Sequence, residues 1–179
     1  VTQKDGERWS AARAYVEPLR GRANLDIRTG ALVEKILVEN GRAVGVVIRR
    51  GGNRETLRAR GGVILSAGAF GSPQILMLSG IGPAAHLKDM GLDVVADRAA
   101  VGADLQDHID YVSGWATKSA EPFGNSPGGT WRMVKAIFEH RTKRTGIMTT
   151  CFAEAGGFWK STPGLPAPAI QYHFVPAML

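Results

Sequence analysis

The feature that most constrains this sequence is a short apolar run, residues 63–65, that leads through a glycine-containing loop into a helix with clear end signals. An apolar run without polar alternation predicts a strand that is covered on both faces, as in a parallel sheet. Ser72 is a typical N-cap, Pro73 suits the first turn of a helix, and Gly80 follows the last apolar residue. Residues 63–80 therefore predict a strand, a tight loop and a helix in succession.

The loop in this unit offers backbone that a ligand can approach closely. Glycine leaves room for such an approach, and the N-terminus of a helix carries partial positive charge. Ala67, Gly68 and Ala69 are therefore candidates for lining a cofactor. A tight connection without any ligand explains the same residues equally well. The loop does not match the dinucleotide fingerprint G-x-G-x-x-G, and neither does any other segment of the sequence.

The residues before this loop predict an antiparallel meander. Asn40-Gly41 lies between two apolar runs, which is a strong hairpin signal, and Gly51-Gly52 marks a second turn. The expected strands are residues 25–28, 33–39, 43–48 and 55–60. The other elements expected in this half are helices at 10–20 and 83–90, the second ended by Gly91, and a short strand at 94–95.

The sequence changes character after residue 109. The expected elements there are a strand at 111–117, a loop at 121–129, a helix at 130–142, and strands at 153–159 and 169–175. One face of this helix carries Trp131, Val134, Ile137 and Phe138. The whole pattern predicts an α+β fold in two parts. Residues 1–109 hold the meander and one parallel-type strand, and residues 110–179 hold part of a domain built from a helix and an antiparallel sheet.

Composition excludes several classes of protein. The content of hydrophobic residues is 44% and that of charged residues 21%, which is typical of a globular chain. The net charge of +6 is spread thinly, so a nucleic-acid partner is not predicted. The four histidines lack metal-ligand spacing, and no apolar run reaches the length of a membrane span. A single cysteine, Cys151, fits a reducing compartment, so the expected location is cytoplasmic.

The sequence GAFGSPQILMLSGIG, residues 68–82, resembles the second signature of the glucose–methanol–choline oxidoreductases. Weaker resemblances to this family lie on both sides, at residues 6–15, 28–46, 105–108 and 154–158. The resemblance covers nearly the whole chain. The last segment is most similar to members of the family that resemble choline dehydrogenase.

The resemblance implies a two-domain protein that binds FAD and oxidises a small alcohol by transferring hydride to the flavin. Residues 1–109 would then be part of the FAD-binding domain and residues 110–179 part of the substrate-binding domain. It also implies roles for individual residues. Val33 stands where the backbone of relatives contacts the adenine, and Ala67 and Gly68 stand where the chain passes FAD. Asp107 and His108 belong to a loop near the cofactor. Glu154 stands where choline-oxidising relatives place a carboxylate against the quaternary ammonium, although an exposed glutamate without a role fits equally well.

Two parts of the family pattern have no match in this chain. One is the glycine-rich βαβ unit that holds the pyrophosphate, and the other is the C-terminal histidine pair, or histidine and asparagine, that supplies the base. His173 is not that base, because it lies upstream in a strand pattern. The resemblance therefore implies that the isolated chain is inactive, has no catalytic residue and does not retain FAD. The alternative is a non-catalytic module that binds a partner or associates with itself, and membrane-peripheral attachment is an alternative location for the full-length protein.

Overall fold

The computed structural model describes residues 3–119, 126–150, 153 and 155–175. The chain divides into two compact units, one of Asp26–Asp110 and one of Val1–Leu25 with Tyr111–Leu179. The strands among the described residues are β1 (Gln3–Lys4), β2 (Glu7–Arg8), β3 (Ala31–Glu39), β4 (Arg42–Arg50), β5 (Asn53–Arg58), β6 (Ile81–Gly82), β7 (Ala96–Asp97), β8 (Ala155–Trp159) and β9 (Ile170–Phe174). The α-helices are α1 (Gly68–Leu78), α2 (Ala84–Asp89) and α3 (Pro127–Lys143).

Helices and antiparallel sheets, with one parallel strand pair, confirm the predicted α+β class. Residues 1–25, which the sequence division placed in the first domain, group by contacts with the second unit. Compact units are defined by contacts within the structure, whereas the predicted domains are defined by what they bind. The assignment of residues 1–109 to cofactor binding and of 110–179 to substrate binding therefore stays a prediction.

The first unit contains the predicted meander, a three-stranded antiparallel sheet in the order β3-β4-β5. Asn40 and Gly41 both have left-handed φ values, 51° and 75°, as a tight turn between twisted strands requires. Ile36 on β3 and Ile48 on β4 are buried and provide the apolar centre of the sheet. The predicted strand at 25–28 is wrong, because its two apolar side chains are exposed and no strand pairs with it in the described part of the chain.

Ion pairs connect the strands of the meander. The Glu34 carboxylate accepts hydrogen bonds from Arg49 Nε at 2.6 Å and from Arg54 Nε at 2.7 Å, so one acid on β3 joins β4 and β5. Arg58 on β5 donates to Glu39 at the end of β3 at 2.5 Å. These guanidiniums lower the pKa of Glu34, with the hydrogen bond from Arg49 as the largest cause. The outer surface of the sheet is therefore held by charge pairs across strands.

The region after the meander is built around two short helices. Helix α1 ends at Leu78, and Gly80, whose φ is 79°, turns the chain into β6. Helix α2 connects β6 to β7, which pair in parallel, and its Leu87 side chain is fully buried. The expected helix at 83–90 is present as α2, while β7 lies two residues beyond the expected strand at 94–95.

Two expectations for residues 63–80 need correction. Residues 63–65 do not form a strand, and Ile64 is 95% exposed. A strand of a parallel sheet needs neighbours, and the described residues place none beside this run. Helix α1 begins at Gly68 rather than beyond Ser72. Ser72 is therefore not the N-cap: it lies inside α1, where its Oγ accepts a hydrogen bond from the Ala67 amide at 3.0 Å.

The second unit joins an N-terminal β-hairpin, β1–β2, to helix α3. The Glu7 carboxylate pairs with Arg13 at 3.0 Å and with Arg144, just beyond α3, at 2.8 Å. His140 Nε2 lies 2.8 Å from the carbonyl oxygen of Gly6. The expected helix at 10–20 is a π-helical segment, Ala12–Val16, followed by a 3-10 turn, Glu17–Leu19.

The C-terminal elements of this unit match their sequence patterns in part. Helix α3 and the antiparallel pair β8–β9 confirm the expected helix and the last two strands. The predicted strand at 111–117 is wrong: its residues are exposed and have no strand partner among the described residues. The expected loop at 121–129 lies mostly outside the described residues. No helix within the described ranges is long and apolar enough to cross a membrane.

Candidate cofactor-binding site

The candidate site lies at the N-terminus of α1. Ala67 precedes the helix with φ −93°, and Gly68 opens it with a left-handed φ of 82°. A Cβ placed on Gly68 would meet no atom within 4 Å, so the backbone here faces open space. The amides of the first helical turn have no partner within the helix and point outward along its axis. This end of α1 can therefore receive a hydrogen-bond acceptor or a negative charge.

A groove of about 410 Å³ runs along α1 from this end. One wall is formed by α1 and the other by the loop that follows β7. The lining residues are Ala69, Phe70, Ser72, Pro73, Gln74, Leu76, Met77, Val101, Gly102, Ala103 and Leu105. Most of these side chains are apolar, which suits a flat ring system better than a charged ligand.

Among the described residues, none of those given a role by the family resemblance lines this groove, although four of them are its neighbours along the chain. Ala67 and Gly68 directly precede its lining residue Ala69, and Asp107 lies two residues beyond its lining residue Leu105. Asp107 and His108 are exposed, and the Asp107 carboxylate accepts a hydrogen bond from the His108 amide at 2.9 Å.

The other predicted residues lie elsewhere. Val33 is half-buried on β3, where it pairs with Ile48, and it does not line the groove. Glu154 lies outside the described residues, so its predicted contact with a substrate stays a prediction. Among the described residues, no group of three or more His, Cys, Asp or Glu side chains could hold a metal ion.

Sequence reasoning did not single out Phe70 and Ser79. Phe70 lines the groove and is largely exposed. Ser79 is 7% exposed and makes two hydrogen bonds, from the Ile36 amide at 2.7 Å and to the Ile75 carbonyl at 2.6 Å. Both residues belong to the long motif at 68–82. The motif indicates a family but not what these two side chains contact, because Ile36 and the loop at 101–105 are far from them in sequence.

Comparisons with known proteins identify the family of this chain. The family model described as GMC oxidoreductase matches residues 1–110. An oxygen-dependent choline dehydrogenase of Rhizobium etli is 45% identical over 97% of this chain and 31% of its own length. An alcohol dehydrogenase [acceptor] of Pseudomonas putida is 43% identical over the whole chain and 33% of its own length. The chain thus spans about a third of the length of the curated relatives it matches.

Solved structures give the same fold. An FAD-dependent oxidoreductase of Chaetomium thermophilum superposes with a TM-score of 0.71 at 28% identity, over 81% of this chain and 26% of that one. A formate oxidase of Aspergillus oryzae superposes with a TM-score of 0.79 over 97% of this chain and 34% of its own, and its 20% identity supports the fold alone. Because the family model matches more than half of the sequence, the chain belongs to the GMC oxidoreductase family.

Proposed function

We propose that this chain is part of an FAD-dependent oxidoreductase that removes hydride from the carbinol carbon of a small alcohol of the choline type. The observation that supports the proposal most is the start of α1 at Gly68. Gly68 opens the longest family motif, and its backbone faces open space near one end of the apolar groove. The names of relatives such as choline dehydrogenase and alcohol dehydrogenase indicate the substrate class.

The residues present fit part of FAD. The first-turn amides of α1 can bind an acceptor atom of the cofactor, and the apolar groove can cover a ring and exclude water from it. Ala67, Gly68, Asp107 and His108 are the residues proposed to hold the cofactor at this groove, with Val33 at a separate contact through its backbone. FAD, when bound, supplies the acceptor for the hydride. Glu154 is proposed to attract a quaternary ammonium group in the substrate.

We propose no acid–base group for proton transfer among the described residues of this chain. The acid–base group and the pyrophosphate-binding unit of the family have no counterpart in its sequence. We therefore propose that the 179-residue chain alone neither retains FAD nor oxidises alcohols. In the longer polypeptide, its role is to bind and orient the cofactor and to line the substrate side.

The experiment compares the 179-residue chain with the full reading frame that contains it. The full protein is expected to show the visible flavin absorption band and choline-dependent dye reduction, and the isolated chain neither. Flavin that stays with the isolated chain through gel filtration would contradict the proposal, as would a full protein without flavin. Within the full protein, Gly68→Ala is expected to lower flavin content. Gly91→Ala is the matched control, since Gly91 also has a left-handed φ and open space but lies away from the groove.

The substrate class has a separate test. Glu154→Gln is expected to raise KM for choline, while KM for the uncharged isostere, in which carbon replaces the quaternary nitrogen, stays the same. The electrostatic attraction between the carboxylate and the ammonium predicts a change of about tenfold or more. Equal changes for both substrates would show that Glu154 does not bind the cation.

A second candidate function is self-association of the chain. Helix α3 exposes Trp131, which is 70% accessible, together with Val134 and Phe138 on the same face. An apolar face of this kind can mediate contact with another copy. Gel filtration coupled to light scattering tests this, because a monomer at all concentrations would exclude it. Cytoplasmic location, with peripheral membrane attachment of the full protein as the alternative, stays a prediction.

A further inference from the structure

Strand β3 forms one edge of the three-stranded sheet. On an edge strand, every second amide points away from the neighbouring strand and needs another acceptor. Ile36 is buried, and β3 contacts α1, so this amide is largely shielded from water. A buried amide without a partner would be unfavourable.

The hydroxyl group of Ser79 accepts this bond. Ser79 Oγ lies 2.7 Å from the Ile36 amide nitrogen, and it donates its own proton to the Ile75 carbonyl oxygen at 2.6 Å. Within the described part of the chain, Ser79 is the one buried polar side chain. One hydroxyl group therefore connects the edge of the sheet to the last turn of α1.

This link joins the two segments that carry predicted cofactor contacts. Val33 lies on β3, three residues before Ile36, and Gly68 lies at the opposite end of α1 from Ser79. A helix and a strand packed through apolar side chains alone can slide, whereas a directional hydrogen bond fixes one position. We propose that Ser79 is a positioning residue that fixes β3 against α1, and so sets where the backbone of Val33 lies relative to the Ala67–Gly68 end. This inference rests on the proposed function.

A merely structural role for Ser79 predicts something different. In that case its loss would lower stability, and cofactor binding would fall only as much as stability does. Leu87→Ala provides the matched control, because Leu87 is fully buried in the same unit but lies on α2, away from β3. Ser79→Thr keeps the hydroxyl group and is expected to restore binding lost in Ser79→Ala.

The experiment measures the FAD dissociation constant by flavin fluorescence in the full reading frame, with the melting temperature recorded for each variant. Ser79→Ala is expected to weaken FAD binding about fivefold or more relative to Leu87→Ala at a comparable loss of melting temperature. Equal FAD affinities for these two variants would overturn the inference. A wild-type protein that binds no FAD would instead contradict the proposed function, so the two failures are distinct.

A second measurement needs no variant. Coupling between two sites is reciprocal, so FAD must stabilise the Ser79–Ile36 bond if the bond favours FAD. Hydrogen exchange at the Ile36 amide is therefore expected to slow when the deflavinated wild-type protein is loaded with FAD. The amide of Val46, opposite Ile36 on β4, serves as the internal reference. Unchanged exchange at Ile36 upon loading would also overturn the inference.

Discussion

Gly80 offers a sharp test of how the first unit is packed, because two separate constraints act on it. Its φ of 79° is left-handed, and a Cβ at this position would lie 2.4 Å from the Asp93 carbonyl oxygen and 2.8 Å from Val95 Cγ2. Its own carbonyl oxygen accepts hydrogen bonds from the amides of Val95 and Ala96. Gly80→Ala therefore disturbs the place where the end of α1 meets the chain entering β7.

The expected magnitude has two contributions. An L-residue in the left-handed region costs about 1–2 kcal/mol. Forcing an extra methyl group against fixed backbone costs about 1–3 kcal/mol more. Gly91 has a φ of 70° and no atom within 4 Å of an added Cβ, so Gly91→Ala carries only the first contribution. We expect a loss in the free energy of unfolding of about 2–5 kcal/mol for Gly80→Ala and about 1–2 kcal/mol for Gly91→Ala.

The assay must report on the first unit specifically. The four tryptophans, Trp9, Trp115, Trp131 and Trp159, all belong to the other unit, so tryptophan fluorescence would follow the wrong transition. Urea unfolding followed by hydrogen exchange of peptides from residues 76–98 measures the intended one. If the two variants lose the same free energy, the close approach of Gly80 to Asp93 and Val95 does not constrain the fold, and the reasoning is refuted.

Three further outcomes follow from the ion pairs and the helix cap. The arginine partners of Glu34 lower its pKa below its ordinary 4.5, so the stability that its ionised form provides is present above about pH 4.5 and is lost as the pH falls through the folded pKa. Glu34→Gln should remove this part of the pH dependence of urea unfolding, and an unchanged pH profile would contradict the prediction. Ser126→Ala removes the 3.1 Å hydrogen bond that the Gly129 amide donates to Ser126 Oγ at the start of α3. We expect it to lower the free energy of unfolding by about 1 kcal/mol, followed by tryptophan fluorescence, with Ser161→Ala as a control outside any helix. Glu7→Gln should cost about 1 kcal/mol at low salt and less at high salt, and a loss independent of salt would exclude the ion pairs as its cause.

Local signals in the sequence were sufficient wherever a few adjacent residues determine the structure. The Asn40-Gly41 turn is an example, since both residues adopt the left-handed values that the dipeptide favours. Gly80 and Gly91 end their helices as predicted, because a residue just past a helix commonly needs a positive φ.

The predictions failed where structure depends on distant partners. The apolar runs at 63–65 and 111–117 have strand composition, yet a strand forms only when another strand accepts its hydrogen bonds, and periodicity does not reveal that partner. The start of α1 was misplaced because Ser72 has the composition of an N-cap while it bonds back to Ala67. The hydrogen bond that Ser79 accepts comes from Ile36, 43 residues away, and could not be found from the motif alone.

The division of the chain into units has a consequence for the order of folding during synthesis. Residues 26–110 are contiguous, so their contacts can form as soon as that stretch has left the ribosome. The ion pair between Glu7 of the β1–β2 hairpin and Arg144 must instead wait for Arg144, which follows Glu7 by 137 positions in the sequence. At about 5–20 residues per second, this delay is about 7–27 s. The pair between Glu7 and Arg13, only six residues apart, can therefore form well before the pair that ties this hairpin to the end of α3.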